Sequence, residues 1–258
     1  MKYLATFLLI ALLGQGDSAM IKTETVKYKQ GAAVLEGYLA YDDSFAGKRP
    51  GVMIVHEWMG LNDYAKRRAE QLASLGYVAF AADIYGKGVR PKDTKEAGEQ
   101  ASIYRADRGL MRARATAGLE ELKKFPLTDT LKIAAIGYCF GGGTVLELAR
   151  SGAKLNGVVS FHGNLDTPHP EDARNIRAKV LVLHGGDDPY VPAEQVAAFQ
   201  KEMREASVDW QMIIYGGAVH SFTNPASGND PTKGAAYNAE ADRRSWEAMK
   251  QFFSEIFQ

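Results

Sequence analysis

Hydrophobic and polar residues alternate with a period of two near the start of the chain. Two such stretches, residues 23–29 and 34–41, flank the pair Gln30-Gly31. This alternation is typical of strands with one buried face, and a short glycine-containing link suits strands that run antiparallel. Residues 22–41 are therefore predicted to form a β-hairpin.

The pattern of hydrophobic residues changes after residue 50. Short apolar runs rich in β-branched residues alternate with longer segments that carry a helical pattern. The runs cover residues 51–55, 77–82, 133–136, 157–161, 180–183 and 210–214. Such an alternation predicts a mostly parallel sheet with helices on both faces. Together with the hairpin, the sequence predicts a three-layer α/β fold whose sheet has about eight strands.

The last helical segment carries a single apolar stripe. Trp246, Met249, Phe253 and Ile256 recur at spacings of three and four among polar neighbours. This spacing places the four side chains on one face of a helix. We expect them to pack in the core and not to form a binding site.

The N-terminal residues have the layout of a secretory signal peptide. Lys2 precedes an apolar run, residues 4–13, which small and polar residues follow. The run is about half of the 20 residues that a membrane-spanning helix needs, so we expect cleavage and no stable membrane anchor. Residues 1–19 are predicted to be this peptide, cut after about residue 16 to 19. Residues 20–258 are predicted to be one domain, exported to a bacterial periplasm or secreted.

Charge and composition exclude several classes of function. The 258 residues contain 31 Lys and Arg against 31 Asp and Glu, and no basic run is long enough to follow a nucleic acid. One cysteine excludes an intramolecular disulfide, a Cys-x-x-Cys redox pair and a thiolate-rich metal site. No His-x-x-x-His pair is present. We expect no metal, no cofactor and no nucleic-acid partner.

The single cysteine lies in a glycine-rich turn between a strand and a helix. Residues 137–143 read Gly-Tyr-Cys-Phe-Gly-Gly-Gly, and a helical segment, residues 144–150, follows. A nucleophile at a strained turn needs residues without side chains two positions before and two after it, and both positions are glycine. The start of the helix also favours a thiolate. Cys139 is therefore the predicted nucleophile, in preference to a buried structural cysteine or to a nucleotide-binding loop.

Two later segments supply an acid and a base. Residues 181–192 leave a predicted strand and present the adjacent carboxylates Asp187 and Asp188. Asp188 is the better candidate because Pro189 fixes the next turn, whereas Asp187 is expected to form the turn itself. His220 lies in a loop after the last strand. The order Cys139, Asp188, His220 is the nucleophile, acid, histidine order of hydrolases on this type of fold.

The other four histidines are weaker candidates for a direct function than His220. His56, His162 and His184 each end a strand-like run, where they line the site or support a turn, and His169 between two prolines is expected to be exposed. Acyl transfer also needs two backbone N–H donors for the oxyanion. The amide of Phe140, directly after the nucleophile, and the amide of Trp58, after an earlier strand, are the predicted donors.

Over nearly the whole of residues 20–258 the sequence resembles the dienelactone hydrolase (carboxymethylenebutenolidase-like) family of α/β hydrolases. The shared signatures are His-Glu-x-x-Gly at 56–60, Asp-Ile-Tyr-Gly at 83–86, Gly-Tyr-Cys-Phe-Gly-Gly at 137–142, Asp188 before Val-Pro, and Ala-Val-His-Ser-Phe at 218–222. The resemblance implies an α/β hydrolase fold and hydrolysis of small carboxylate-bearing lactones through a thioester. It implies that Glu57 contacts the resting thiol and gates its activation. Substrate contacts are implied at Tyr85, Lys87, Phe222 and Asn224.

Two positions depart from the family pattern. Lys87 keeps the charge of an arginine but not its bidentate geometry, and Asn224 stands where the family has an arginine. Arg90 and Arg105 are candidates to compensate, although we expect them to be solvated surface charges. Dienelactone itself is therefore in question as the substrate.

The sequence predicts a monomeric, cofactor-free hydrolase of a small ester or lactone. One alternative is an exported esterase or acyltransferase that uses the same triad on an envelope- or plant-derived ester. Another is a non-catalytic binding protein on a hydrolase scaffold. A thiol redox sensor would want a second cysteine as resolving partner, which the chain lacks.

Overall fold

A computed structural model describes residues 21–258 of the chain. The predicted signal peptide, residues 1–19, lies outside the described residues. Within residues 21–258, eight strands form one sheet in the order β1-β2-β4-β3-β5-β6-β7-β8. The strands are β1 (Ile21–Gln30), β2 (Ala33–Asp42), β3 (Arg49–Val55), β4 (Val78–Ala82), β5 (Thr128–Tyr138), β6 (Gly157–Phe161), β7 (Lys179–Gly185) and β8 (Trp210–Tyr215).

The first two strands form the predicted hairpin. Gln30 pairs with Ala33 across the turn, and β2 then pairs antiparallel with β4. All later neighbours, from β4 and β3 through to β8, run parallel. The antiparallel hairpin therefore lies at one edge of an otherwise parallel sheet.

Helices cover both faces of the sheet. They are α1 (Asp63–Ser74), α2 (Thr94–Ala106), α3 (Arg108–Lys124), α4 (Phe140–Arg150), α5 (Ala193–Glu205) and α6 (Ala239–Ile256). Helices α1 and α6 pack on one face and α2 to α5 on the other. Successive residues of β3 point to opposite faces, so that Val52 and Ile54 contact the first group while Met53 and Val55 contact the second. The structure confirms the predicted three-layer α/β hydrolase fold.

The helices begin where the sequence provides caps. The side chain of Asn62 accepts a hydrogen bond from the backbone of α1, and Asn238 does the same for α6. Along α6, Met249 and Phe253 are fully buried, and Trp246 is partly buried. The apolar stripe of the last helix is thus core packing, as predicted.

Candidate active site

The predicted site residues follow parallel strands at their carboxyl ends. Glu57 and Trp58 come after β3, Cys139 after β5, Asp188 after β7 and His220 after β8. The carboxyl ends of parallel strands share one edge of the sheet, where open α/β folds build their sites. Residues far apart in the sequence therefore meet at this edge.

Cys139 occupies a strained turn between β5 and α4. Its φ is 54°, a region that residues other than glycine rarely adopt, and its side chain is buried. A Cβ atom at Gly137 would lie 2.0 Å from the carbonyl oxygen of Gly141, and one at Gly141 would lie 2.2 Å from that of Val55. Neither position has room for a side chain. The two glycines that flank the cysteine therefore have a steric function.

His220 and Asp188 form a buried hydrogen-bonded pair. Nδ1 of His220 lies 2.8 Å from Oδ2 of Asp188, and Oδ1 of Asp188 accepts a hydrogen bond from the backbone N–H of Tyr190. Asp187 is exposed, and its backbone N–H donates to Ala218 in the adjoining turn. The structure therefore brings Asp188, and not Asp187, to the histidine.

The charge on His220 is coupled to Cys139. Burial lowers the pKa of His220, but the negative charge of Cys139 and the hydrogen bonds to Asp188 and Cys139 outweigh burial and hold the pKa well above its usual range. Because Nδ1 is occupied by Asp188, the other ring nitrogen is left for the thiol. This arrangement favours the imidazolium form of His220 beside Cys139.

The two predicted oxyanion donors lie on segments that touch. Phe140 is the first residue of α4, and the close approach of Gly141 to the backbone of Val55 and His56 brings α4 against the loop that carries Trp58. His56 holds this loop: Nδ1 lies 2.6 Å from the carbonyl oxygen of Glu57 and Nε2 accepts from the backbone N–H of Ile84. Burial lowers the pKa of His56 to about 4. His56 is thus a neutral support of the loop.

Glu57 is a buried carboxylate with two neutral donors. Its Oε2 accepts a 2.5 Å hydrogen bond from Nδ2 of Asn224, and its Oε1 accepts a 3.2 Å bond from the Ser221 hydroxyl. Burial raises the pKa of Glu57, and the hydrogen bonds and the nearby charges of His220 and Arg68 only partly offset this. None of the hydrogen bonds within residues 21–258 joins Glu57 to Cys139. The gating role of Glu57 stays a prediction.

The four predicted substrate contacts have different surroundings. Tyr85 is buried beside the nucleophile turn, with its ring 5.3 Å from that of Phe140 and its hydroxyl donating to the carbonyl oxygen of Trp58. Asn224 is buried and occupied by Glu57. Both therefore lie within the site, although Asn224 is not a free ligand.

Lys87 and Phe222 do not present a free group to the site. Lys87 is half exposed and faces Glu36 on β2, with 3.9 Å between Nζ and Oε2. Phe222 is fully buried, with its ring 5.0 Å from that of His162 and 5.5 Å from that of Tyr215. The side chain of Phe222 packs behind the histidines, because its loop turns inward.

The other basic candidates and histidines are also accounted for. Arg90 donates to the carbonyl oxygens of Gly86 and Val89, whereas Arg105 is exposed and donates to Asn164. His169 is exposed beside Glu171, as expected. His184 is buried, which lowers its pKa, while Asp188 raises that pKa and His220 lowers it further.

Thr223 and Tyr190 lie near Cys139 and His220 but were not identified from the sequence, whereas His162 was expected to line the site or support a turn. His162 accepts a hydrogen bond from the backbone N–H of Cys139, Thr223 contacts His162, and the half-exposed ring of Tyr190 lies 5.4 Å from that of His220. His162 directly follows β6 at the same sheet edge, and this position made it predictable from the sequence. Thr223 and Tyr190 carry no motif of their own.

Among residues 21–258, no group of three or more His, Cys, Asp or Glu residues is arranged to hold a metal ion. No helix in that range is long and apolar enough to cross a bilayer.

Comparisons with known proteins identify the family. The family model described as "Dienelactone hydrolase family" matches residues 35–257. The protein named m3DLH is 44% identical, with a TM-score of 0.89 over 92% of this chain and 99% of its own. A dienelactone hydrolase-like promiscuous phosphotriesterase from metagenomic libraries is also 44% identical, with a TM-score of 0.88 over 93% and 100% of the two chains. An uncharacterised protein of Caenorhabditis elegans is 36% identical over 58% of this chain and 96% of its own. The chain belongs to the dienelactone hydrolase family of carboxylic ester hydrolases.

Proposed function

We propose that this protein hydrolyses a small ester or lactone, without a cofactor, through a thioester on Cys139. One observation carries the proposal: His220, hydrogen-bonded at 2.8 Å to buried Asp188, is also hydrogen-bonded to Cys139, a cysteine in a strained turn. This is the relationship of nucleophile, base and orienting acid that acyl transfer needs.

The first step is acylation of the thiol. The sulfur of Cys139 attacks the ester carbonyl carbon, and the C–S bond forms as the carbonyl electrons move to oxygen. The amides of Phe140 and Trp58 donate to that oxyanion. Its collapse breaks the C–O bond, and His220 gives its proton to the departing oxygen. In a lactone the departing oxygen stays attached to the acyl chain.

The second step is hydrolysis of the thioester. A water molecule gives a proton to His220 and attacks the thioester carbonyl, and collapse of the second tetrahedral intermediate releases the acid and the thiolate of Cys139. Asp188 keeps the imidazole in one orientation through both steps. A thiolate leaves a tetrahedral intermediate more readily than a poor alkoxide does, so a substrate with a good leaving group, such as an enolate, is expected.

The surroundings of Lys87 and Asn224 bear on the substrate. The lysine faces Glu36 and the asparagine holds Glu57, so neither offers a free group to a substrate carboxylate. This supports the alternative of an exported esterase or acyltransferase on an envelope- or plant-derived ester over an enzyme dedicated to dienelactone. We also propose that Glu57 gates the thiol, which would require the carboxylate to leave Asn224.

A second candidate activity is cleavage of phosphotriesters. It is supported by 44% identity over 93% of the chain to a promiscuous phosphotriesterase. The thiolate would attack phosphorus and expel an alcohol or phenol, and water would then cleave the phosphorus–sulfur bond to regenerate the thiol. Turnover of an aryl dialkyl phosphate, and its loss in Cys139→Ala, tests this activity with the same site.

Export and a monomeric state complete the proposal. The signal-like layout of residues 1–19 supports export, and mass analysis of the protein recovered outside the cytoplasm should give an N-terminus between residues 17 and 20. Recovery of the full-length chain from the cytoplasm would refute export. Light scattering of the mature protein should give the mass of one chain, and a dimer mass would refute the monomer.

Alkylation tests the proposed nucleophile. Treatment with iodoacetamide should label Cys139 and abolish hydrolysis of an activated aryl ester, and Cys139→Ala should abolish it as well. A folded Cys139→Ala variant that hydrolyses the ester at the wild-type rate would refute the cysteine mechanism. Absence of hydrolysis by the wild-type protein on a panel of esters and lactones would favour the binding-protein alternative.

A further inference from the structure

His162 is a buried histidine that the proposed reaction does not use. It is the first residue after β6, it is fully buried, and its φ is 41°. Residues other than glycine adopt such a φ uncommonly, although histidine does so more often than most. A fully buried imidazole one residue past a strand end needs hydrogen-bond partners for its ring nitrogens.

Both nitrogens of His162 have hydrogen-bond partners. Nδ1 lies 3.2 Å from the backbone nitrogen of Cys139, and Nε2 lies 2.7 Å from Oγ1 of Thr223. The hydroxyl of Thr223 lies 2.6 Å from that of Tyr64 on α1. Arg68 donates to the hydroxyl of Tyr64 and to the carbonyl oxygen of Thr223. A continuous chain of hydrogen bonds therefore joins the nucleophile turn to helix α1.

The direction of this chain is fixed at its first bond. A backbone N–H only donates, so Nδ1 of His162 must accept from Cys139 and carry no proton. The neutral ring then has its proton on Nε2, which donates to Thr223. Burial, together with the charges of His220 and Arg68, keeps the pKa of His162 well below its usual range, so the ring stays neutral.

The same ring also contacts the proposed base. The ring centroids of His162 and His220 are 5.3 Å apart at an angle of 65°. The side chain of His162 therefore touches two parts of the proposed machinery, the amide of the nucleophile and the ring of the base. The amide of Cys139 also donates to the carbonyl oxygen of Phe161 at 3.0 Å, so it is held by two acceptors.

We propose that His162 is a positioning residue for the reaction, that its Nδ1 fixes the strained amide of Cys139, and that Thr223 holds it in the required tautomer. The inference rests on the proposed function of Cys139. Without the Thr223 acceptor, His162 is free to place its proton on Nδ1. Two donors would then face each other at Cys139, and both the sulfur and the adjoining Phe140 amide would lose their alignment.

A matched pair of variants tests this role. Thr223→Val keeps the shape of the side chain but removes the hydroxyl, whereas Thr223→Ser keeps the hydroxyl. Loss of one hydrogen bond in the chain is expected to lower kcat about 10-fold in Thr223→Val, with KM within about twofold of wild type. Thr223→Ser should restore kcat to within about threefold of wild type. The proposal would be overturned if Thr223→Val had the kcat of wild type, or if kcat fell by the same factor in Thr223→Val and Thr223→Ser.

The tautomer itself is measurable in the wild-type protein, whether or not the variants fold. Two-bond ¹⁵N–¹H correlation spectra of ¹⁵N-histidine-labelled protein, assigned with His162→Asn, should show a neutral ring protonated on Nε2 between pH 5.5 and 8.5, a range of about one to two units on either side of the ordinary histidine pKa. A proton on Nδ1, or a titration of His162 within that range, would overturn the proposal. Residual activity of Cys139→Ala separates the two claims, since activity there would refute the proposed nucleophile and leave the tautomer result standing.

Discussion

Nδ2 of Asn224 donates a 2.5 Å hydrogen bond to Oε2 of Glu57, and both residues are buried. The other end of the same amide is also occupied, because Oδ1 accepts from the backbone N–H of Ala226. The side chain that stands where the family has an arginine thus serves to hold an acidic residue of the protein. It is not available to hold an acidic group of the substrate.

This relationship predicts a preference for uncharged substrates. With Asn224 bound to Glu57 and Lys87 facing Glu36, neither residue offers a free group to a substrate carboxylate, which would lie beside the buried carboxyl of Glu57. We expect kcat/KM for an uncharged aryl ester to exceed that for its carboxylate-bearing analogue by at least about 10-fold, the equivalent of one lost charged hydrogen bond. The measurement is a pair of initial-rate series with matched leaving groups. A higher kcat/KM for the anionic analogue would contradict the prediction.

The buried carboxyl of Glu57 makes stability depend on pH. A carboxyl whose pKa is raised by folding stabilises the protein fully below its unfolded pKa, and this contribution is lost as the pH rises through the folded pKa. Replacement of Glu57 by Gln removes the cost of burying the charge. The Tm of Glu57→Gln relative to wild type should therefore rise between pH 4.5 and pH 8, by about 2–4 °C for each kcal/mol involved.

Calorimetry at both pH values measures this difference. Glu99→Gln is the matched control, because Glu99 is exposed on α2, and its Tm relative to wild type should not change with pH. If the Tm difference between Glu57→Gln and wild type were the same at pH 4.5 and pH 8, folding would not raise the pKa of Glu57, and the prediction would be wrong.

The close approach of α4 to β3 predicts a strong steric effect at Gly141. An alanine Cβ there would lie 2.2 Å from the carbonyl oxygen of Val55. Gly141→Ala is expected to destabilise the protein by about 3 kcal/mol or more and to abolish hydrolysis, because the helix that begins at Phe140 must shift. Urea unfolding gives the free energy.

Gly98→Ala on α2 is the control for this substitution. Nothing lies within 4 Å of the Cβ position at Gly98, so alanine there should leave stability unchanged or raise it by up to about 1 kcal/mol. If Gly141→Ala unfolded at the wild-type urea concentration and kept its activity, the tight contact between α4 and β3 would not be required.

The position of Tyr190 predicts that its ring contacts an aromatic leaving group on the exposed side of His220. The residue is 53% exposed, its ring lies 5.4 Å from the ring of His220 at 85°, and its backbone N–H donates to Asp188. An aromatic leaving group that receives a proton from His220 would cover this ring. Tyr190→Ala should raise KM for aryl esters about 3- to 10-fold, whereas Tyr190→Phe should leave it unchanged. A loss in kcat alone would mean that the ring shields His220 and does not contact substrate.

The sequence predicted the fold because its signals were local. Alternation in residues 23–41 predicted the hairpin of β1 and β2, and each short apolar run became one of the strands β3 to β8. The glycines around Cys139 also specified the turn, because their requirement is steric and arises within a few residues. Strand ends were less predictable: β5 begins at Thr128, before its apolar run, because residues 129–132 (Asp-Thr-Leu-Lys) lack the regular alternation of a strand.

The site was less predictable wherever a side chain's partner lies far away in the sequence. Asn224 and Glu57 are separated by 167 residues, and the bond between them depends on how two loops meet at the sheet edge. The inward turn of Phe222 and the contact of Thr223 with His162 have the same origin. Motifs in the sequence indicate which residues have reactive side chains. Only the packing of the loops shows which of these residues contact one another.

The most direct test of the central claim is the mass of the intact protein during turnover. When the enzyme is mixed with an activated aryl ester and quenched in acid within one turnover, we predict a mass increase equal to one acyl group, located by peptide mapping on Cys139. The adduct should be absent in Cys139→Ala and should persist in His220→Gln if acylation still occurs, because water is no longer activated. Complete hydrolysis with no covalent adduct on Cys139 at any quench time, together with full activity of Cys139→Ala, would contradict the account.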